Sequence, residues 1–151
     1  MFREQLIFDN GIKEYQINGN GILRFNPGDP NVYARFMDLT PKINKIEKEM
    51  NVKASKIDYN DKIAAGQEKL RIMRETDKRV KTVLNEVFGN GNNFDEILDG
   101  VNLMAVASNG KRVVSNMIDA LLPIMEEGAQ ACVRAEVDAA VLNREQRRAL
   151  Q

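Results

Sequence analysis

The chain has 151 residues, of which 43% are hydrophobic and 29% charged, and its 22 basic and 22 acidic side chains leave no net charge. A chain of this size can bury roughly two-thirds of its unfolded surface, so we expect a single domain, residues 1–151, that needs neither metal nor disulfide to fold. The zero net charge argues against a protein that depends on long-range attraction to DNA or to an anionic membrane.

The sequence contains no targeting or membrane-spanning pattern. The opening MFREQLIF carries a charge pair where a signal peptide has a long apolar run, and no uncharged apolar stretch approaches about 20 residues. The single cysteine, Cys132, lies in a sequence typical of a helix face and is predicted to be a small hydrophobe rather than a reactive thiol. We therefore expect a cytosolic protein that makes no contact with membrane.

Residues 1–28 are predicted to form a β element. In the segments QLIFDNG and IKEYQINGNGILRFNPGD, short apolar runs lie on either side of three Asn-Gly pairs. Such pairs supply the positive φ that tight hairpin turns need. Tyr15 alternates with Ile17, and Leu23 with Phe25, so each strand has one apolar face. Because a hairpin alone is marginal in water, helices or another chain must cover the apolar face of this hairpin or meander.

Residues 29–88 are predicted to be a long amphipathic helical region. Asp29 before Pro30 is a helix start, with an N-cap acceptor followed by proline in the first turn. Pro41 is expected to interrupt or kink this helix. A narrow apolar stripe then runs toward Gly89, the expected C-terminal cap, and Asp77 occupies a position where the stripe calls for an apolar residue.

Two structures fit this helical region. It forms either one very long helix or a helical hairpin that turns between Asn51 and Gly66, where the stripe weakens. We favour the hairpin, because a lone helix of this length would leave its apolar seam exposed.

Residues 89–110 are predicted to be a loop followed by a short helix that begins at about Asp95, and residues 111–151 to be C-terminal helices. A broad apolar face precedes Pro123, which is expected to kink the helix, and Gly128 is expected to divide it. The chain is therefore assigned to the α+β class, mainly helical, with an N-terminal β-hairpin or meander.

The residues that most enzymes and metal sites depend on are missing. The sequence has no histidine and one cysteine, which removes Ser-His and Cys-His nucleophiles and Cys-rich metal sites. The loop FGNGNNF lacks the Lys-Ser/Thr of a phosphate-binding loop. Carboxylates cluster at Asp95, Glu96 and Asp99 and at Glu126 and Glu127, in contexts typical of a helix N-terminus and a solvated helix face. We predict a non-catalytic protein without cofactor or metal.

The basic residues near the end of the chain are too few to predict nucleic-acid binding. Three phosphate contacts, from Arg144, Arg147 and Arg148, would make the logarithm of the binding constant fall with the logarithm of the salt concentration with a slope of only about −2.7. Proteins that bind nucleic acid strongly make about six to ten such contacts. Glu145 lies among them, and no aromatic residue stands nearby to stack on bases.

The order of segments resembles a tail-assembly chaperone of tailed bacteriophages or prophages, especially those of Gram-positive hosts. The resemblance lies in EYQINGNGILRFNPGDPNVYARF, a charged helical middle, VFGNGNNFDEIL, SNMIDALLPIMEEG and the LNREQRR ending. It implies a protein that binds the tape-measure protein, keeps the long helices of that partner from aggregating, helps to deliver tail-tube subunits and is absent from the finished virion.

A chaperone of this kind needs apolar surface that receives one face of a partner helix, and methionines make such surface adaptable. The basic side chains would then bind acidic patches on the partner. The residues predicted to bind the partner are Met117, Leu121, Met125, Leu142, Arg144, Arg147 and Arg148. We also expect a homo-oligomer. The alternatives are a structural coiled-coil or adaptor component retained in the phage particle, and a small phage regulator that binds host protein or DNA.

Overall fold

The computed structural model describes residues 2–89 and 91–150, and in it an antiparallel hairpin precedes a mainly helical body. Strand β1, Lys13–Gln16, pairs with β2, Ile22–Phe25, so that Tyr15 lies opposite Leu23. The turn uses Asn18 and Gly19, with φ of 51° and 74°, and the Asn20 N–H donates to the Ile17 carbonyl at 2.9 Å. The predicted α+β class and the N-terminal hairpin are confirmed.

The apolar run before the hairpin forms no strand, so the predicted β element is a two-stranded hairpin and not a meander. Residues 2–12 pair with no strand, and Phe2, Leu6, Ile7 and Phe8 are exposed. Asp9 accepts a hydrogen bond from the Gly11 N–H, and this local turn diverts the chain before β1 begins.

Helix α1, Pro30–Met37, begins as predicted, because the Asp29 side chain accepts a hydrogen bond from the backbone of the second helical residue. Helix α2, Leu39–Ser55, follows after a single residue. Pro41 lies in the first turn of α2, where its missing N–H has no helical partner to lose, so the break falls before the proline.

Helix α3, Lys62–Phe88, packs back along α2. The turn between them lies within the range predicted for a helical hairpin, and Asp61 caps α3 by accepting from two N–H groups of its first turn. The helical-hairpin alternative is therefore confirmed, and so is the glycine cap: Gly89 has φ of 102°.

Helix α4, Phe94–Ile97, is the predicted short helix, and α5 covers Val113–Ala149. The segment between them has an isolated bridge between Val106 and Arg112 and buries Leu103 completely. Helix α5 is one element of 37 residues, with Pro123 inside it and Gly128 not dividing it. None of the helices in the described part of the chain has the length and apolar character needed to cross a bilayer.

The core is organised around Phe88, the last residue of α3. Its ring lies 4.9 Å from that of Phe25 on β2, 5.7 Å from that of Phe94 on α4 and 6.5 Å from that of Phe36 on α1. Edge-to-face and tilted ring contacts of this kind stabilise the fold by more than the burial of apolar area alone. One ring therefore joins the hairpin to three helices.

Asp77, the polar residue in the apolar stripe of α3, is buried with two partners. Its carboxylate accepts a hydrogen bond from the Leu103 N–H at 2.8 Å and lies 2.9 Å from the Lys81 ammonium. Lys81 is only 5% exposed and also lies 2.7 Å from the Asp95 carboxylate. Burial lowers the pKa of Lys81, but hydrogen bonds to Asp95 and Asp77 outweigh it and raise that pKa. Asp77 thus attaches the segment after α4 to α3.

Replacing Asp77 with leucine, which the stripe calls for, should destabilise the protein. Leu103 would keep a buried N–H without an acceptor and Lys81 would lose one of two carboxylates, so we expect a loss of about 2–4 kcal/mol in the free energy of unfolding. Urea denaturation followed by circular dichroism measures this. Glu75→Leu on the exposed side of α3 is the control, with a change within about 1 kcal/mol. Equal stability of the two variants would contradict this role for Asp77.

Gly128 is required where α5 crosses the end of β2. A Cβ atom at this position would lie 2.1 Å from the Pro27 carbonyl oxygen, far inside van der Waals contact. Helix α5 therefore continues through Gly128, because the absence of a side chain there leaves room for the backbone that follows β2.

Gly128→Ala should destabilise the protein by about 2 kcal/mol or more, since the obstruction is backbone and outweighs the gain in helix propensity. Gly66→Ala is the matched control on α3, where a Cβ meets nothing within 4 Å. That variant should gain about 0.5–1 kcal/mol. Thermal denaturation of both variants tests the pair, and a stabilised Gly128→Ala protein would refute the close approach.

Candidate partner-binding surface

An apolar groove lies between the hairpin and the first half of α5. It has a volume of about 510 Å³ and is open to solvent. Tyr15 and Ile17 line one wall, because alternate residues of a strand share a face. Met117 and Leu121 line the other, because residues four apart share a side of a helix. Leu98, which follows α4, contributes to the lining between the two walls.

A few polar side chains edge this groove. Gln16 and Asn18 come from the hairpin, and Asn116 from α5. Asn116 exchanges hydrogen bonds with Asn109 at 2.9 and 3.2 Å, which holds its amide in place. An apolar channel with a narrow polar margin suits the apolar side of a partner with hydrogen-bonding groups beside it.

The predicted partner-binding residues divide between three environments. Met117 is half-buried in the groove, and Leu121, 4% exposed, lies at its base. Met125 belongs to the core with no exposed surface, which corrects its assignment to a binding surface: the side of α5 that carries it packs on the body. The remaining four residues are exposed near the end of α5: Leu142, Arg144, Arg147 and Arg148.

The basic cluster is not part of the groove. Twenty-five residues of helix separate Met117 from Leu142, which corresponds to about 38 Å along the axis of α5. The structure therefore brings together two of the predicted residues in the groove, buries Met125 in the core, and leaves the other four exposed near the end of α5.

Sequence reasoning missed the contribution of the hairpin to this groove. Tyr15 and Ile17 form an apolar face that must be covered, and the pattern gives no sign that α5 covers it only in part. The distance between two elements is set by their other contacts, and no local signal records it.

Asp95, one of the carboxylates that could have suggested chemistry, has a structural partner. The hydrogen bond from Lys81 lowers the pKa of Asp95, and the Asn93 side chain caps the same turn by accepting from the Asp95 and Glu96 N–H groups. Within residues 2–89 and 91–150, no group of three or more His, Cys, Asp or Glu side chains is placed to hold a metal ion.

Tyr15 reports on the electrostatics of the groove. Its ring stacks on that of Phe25 at 5.1 Å, and burial raises the pKa of the phenol, with a further rise from the negative charge of Glu127. Both effects disfavour the phenolate. A ligand in the groove would bury the phenol further and raise its pKa again.

Glu127→Gln should lower the pKa of Tyr15 while leaving it above the usual value for tyrosine, since burial, the larger cause, remains. Ultraviolet absorbance titration measures this in a background where Tyr33 and Tyr59 are phenylalanine. Glu126→Gln is the control, because Glu126 is not among the causes of the shift. An unchanged or raised pKa in the Glu127 variant would contradict this geometry.

Comparison of this chain with protein-family models, with curated proteins and with solved structures finds no match.

Proposed function

We propose that this chain is a non-catalytic tail-assembly chaperone that binds the phage tape-measure protein in the host cytoplasm and keeps it soluble until the tail is built. The observation that carries the proposal is the open apolar groove between the hairpin and α5. The resemblance of the segment order to tail-assembly chaperones supports it independently of the groove.

The groove has the form needed for one face of an amphipathic helix. Such a helix presents apolar side chains at i, i+3, i+4 and i+7, and these enter an apolar channel while its polar side remains in water. Met117 makes one wall adaptable, because an unbranched thioether side chain repacks easily around different partners. A chaperone that meets many similar turns of one long helix needs this tolerance.

The expected affinity of one groove is low. Two or three apolar anchors, each worth about 1.5–3 kcal/mol on burial, gain roughly 3–9 kcal/mol. Loss of translational and rotational freedom opposes this gain, so binding falls in the micromolar range or weaker. Weak contacts suit a chaperone that must release its partner as tube subunits assemble.

Ala120→Arg tests the groove. Ala120 is exposed and lines the groove, so an arginine there should leave the fold intact and place an unpaired charge against the apolar face of a partner. We expect at least about a tenfold loss of affinity. In cells that co-express the tape-measure protein, the unmodified chain should keep that protein soluble and the variant should not. Ala64→Arg, exposed on α3, is the control.

Two outcomes would count against this proposal. Equal precipitation of the tape-measure protein with and without this chain would refute the chaperone function. Mass spectrometry of purified virions separates the alternatives, since a chaperone is absent from the particle. Its presence there would favour a structural coiled-coil or adaptor component.

A further inference from the structure

The last part of α5 extends beyond the body of the protein. Every residue from Val133 to Leu150 is exposed. This portion is about 25 Å long, and its surface is open to contact with another molecule.

One side of this exposed helix carries an apolar stripe, the valine stripe, formed by Val133, Val137 and Val141. The three valines follow each other at four-residue steps and are 47–59% exposed. The stripe faces away from the body, because Leu121 and Met125 turn the other side of α5 toward the core.

Opposite charges lie at the two ends of this valine stripe. Glu126 lies about two turns before Val133, and Arg144 lies about three turns after Val133, both on the line of the stripe. Among the described residues, neither Glu126 nor Arg144 makes an ion pair. Arg148 extends the basic end by one more turn.

We propose that this stripe is the interface of an antiparallel homodimer, covered by the same stripe of a second copy. With the two-fold axis crossing the stripe at the level of residue 135, Val133 lies opposite Val137 of the second copy, and Glu126 lies opposite its Arg144. Symmetry repeats both contacts, so each end of the interface joins an acidic group to a basic one. A parallel dimer would instead place Arg144 against Arg144, and this repulsion selects the antiparallel arrangement.

The dimer interface is distinct from the groove. The stripe and the hairpin lie on different sides of α5, so two copies can pair while both grooves stay open. Pairing therefore does not depend on the proposed chaperone function, and either can fail while the other stands. If both hold, the dimer offers two grooves to one long partner, which raises the effective affinity through multivalency.

Sedimentation equilibrium of the full chain tests the interface. The unmodified protein should dimerise reversibly, and Val137→Glu should raise the dissociation constant by at least about tenfold, because it buries two like charges at the centre of the interface. Leu142→Glu is the matched control: Leu142 is 56% exposed, on the opposite side of α5 from Val133, and should leave the dimer intact. A monomer at all concentrations, or equal weakening by both variants, would overturn the proposal.

Charge reversal and cross-linking test the antiparallel direction. Glu126→Arg and Arg144→Glu should each weaken the homodimer, whereas the two variants mixed together, or the double variant, should pair more tightly than either alone. In a Cys132→Ser background, Glu126→Cys should form a disulfide with Arg144→Cys and not with itself. Disulfides within each single variant would indicate a parallel dimer and would refute this arrangement.

Discussion

The contact of Phe88 with Phe25 is the interaction on which the rest of the structure depends. A two-stranded hairpin buries too little surface to be stable alone, so its apolar side must find cover. Phe88 supplies that cover from the end of α3 and also contacts Phe36 and Phe94. Because aromatic rings are large and prefer a few relative orientations, this cluster positions the hairpin on the helical hairpin.

A second constraint fixes the direction in which the hairpin lies. The Asn92 side chain accepts a hydrogen bond from the Arg24 N–H at 2.9 Å and donates to the Arg24 carbonyl at 2.8 Å, so a loop residue satisfies the free edge of β2. Asn92 also donates to the Phe88 carbonyl at 3.0 Å, which links this edge to the end of α3. With β2 held there, Tyr15 and Ile17 face α5 across a gap, and that gap is the groove.

Helix α5 joins two surfaces of different character. Its first half packs through Leu121 and Met125 and forms one wall of the groove, while its second half leaves the body and carries the valine stripe. Gly128 lies between them, where the helix passes closest to the hairpin. The groove and the valine stripe are thereby held in a defined relation by one continuous helix.

The local signals of the sequence determined the elements and most of their ends. Asn18-Gly19 specifies the hairpin turn, Asp29-Pro30 the start of α1 and Gly89 the end of α3, because each effect acts within a few residues of its source. The absence of histidine likewise limits the chemistry of the chain without reference to any fold.

The tertiary structure decided what each apolar or polar side chain faces. Met117 lines a groove while Met125 fills the core, and Asp77 in an apolar stripe accepts a hydrogen bond from a backbone N–H 26 residues away. Burial depends on which distant segments pack together, and neither composition nor periodicity contains that information.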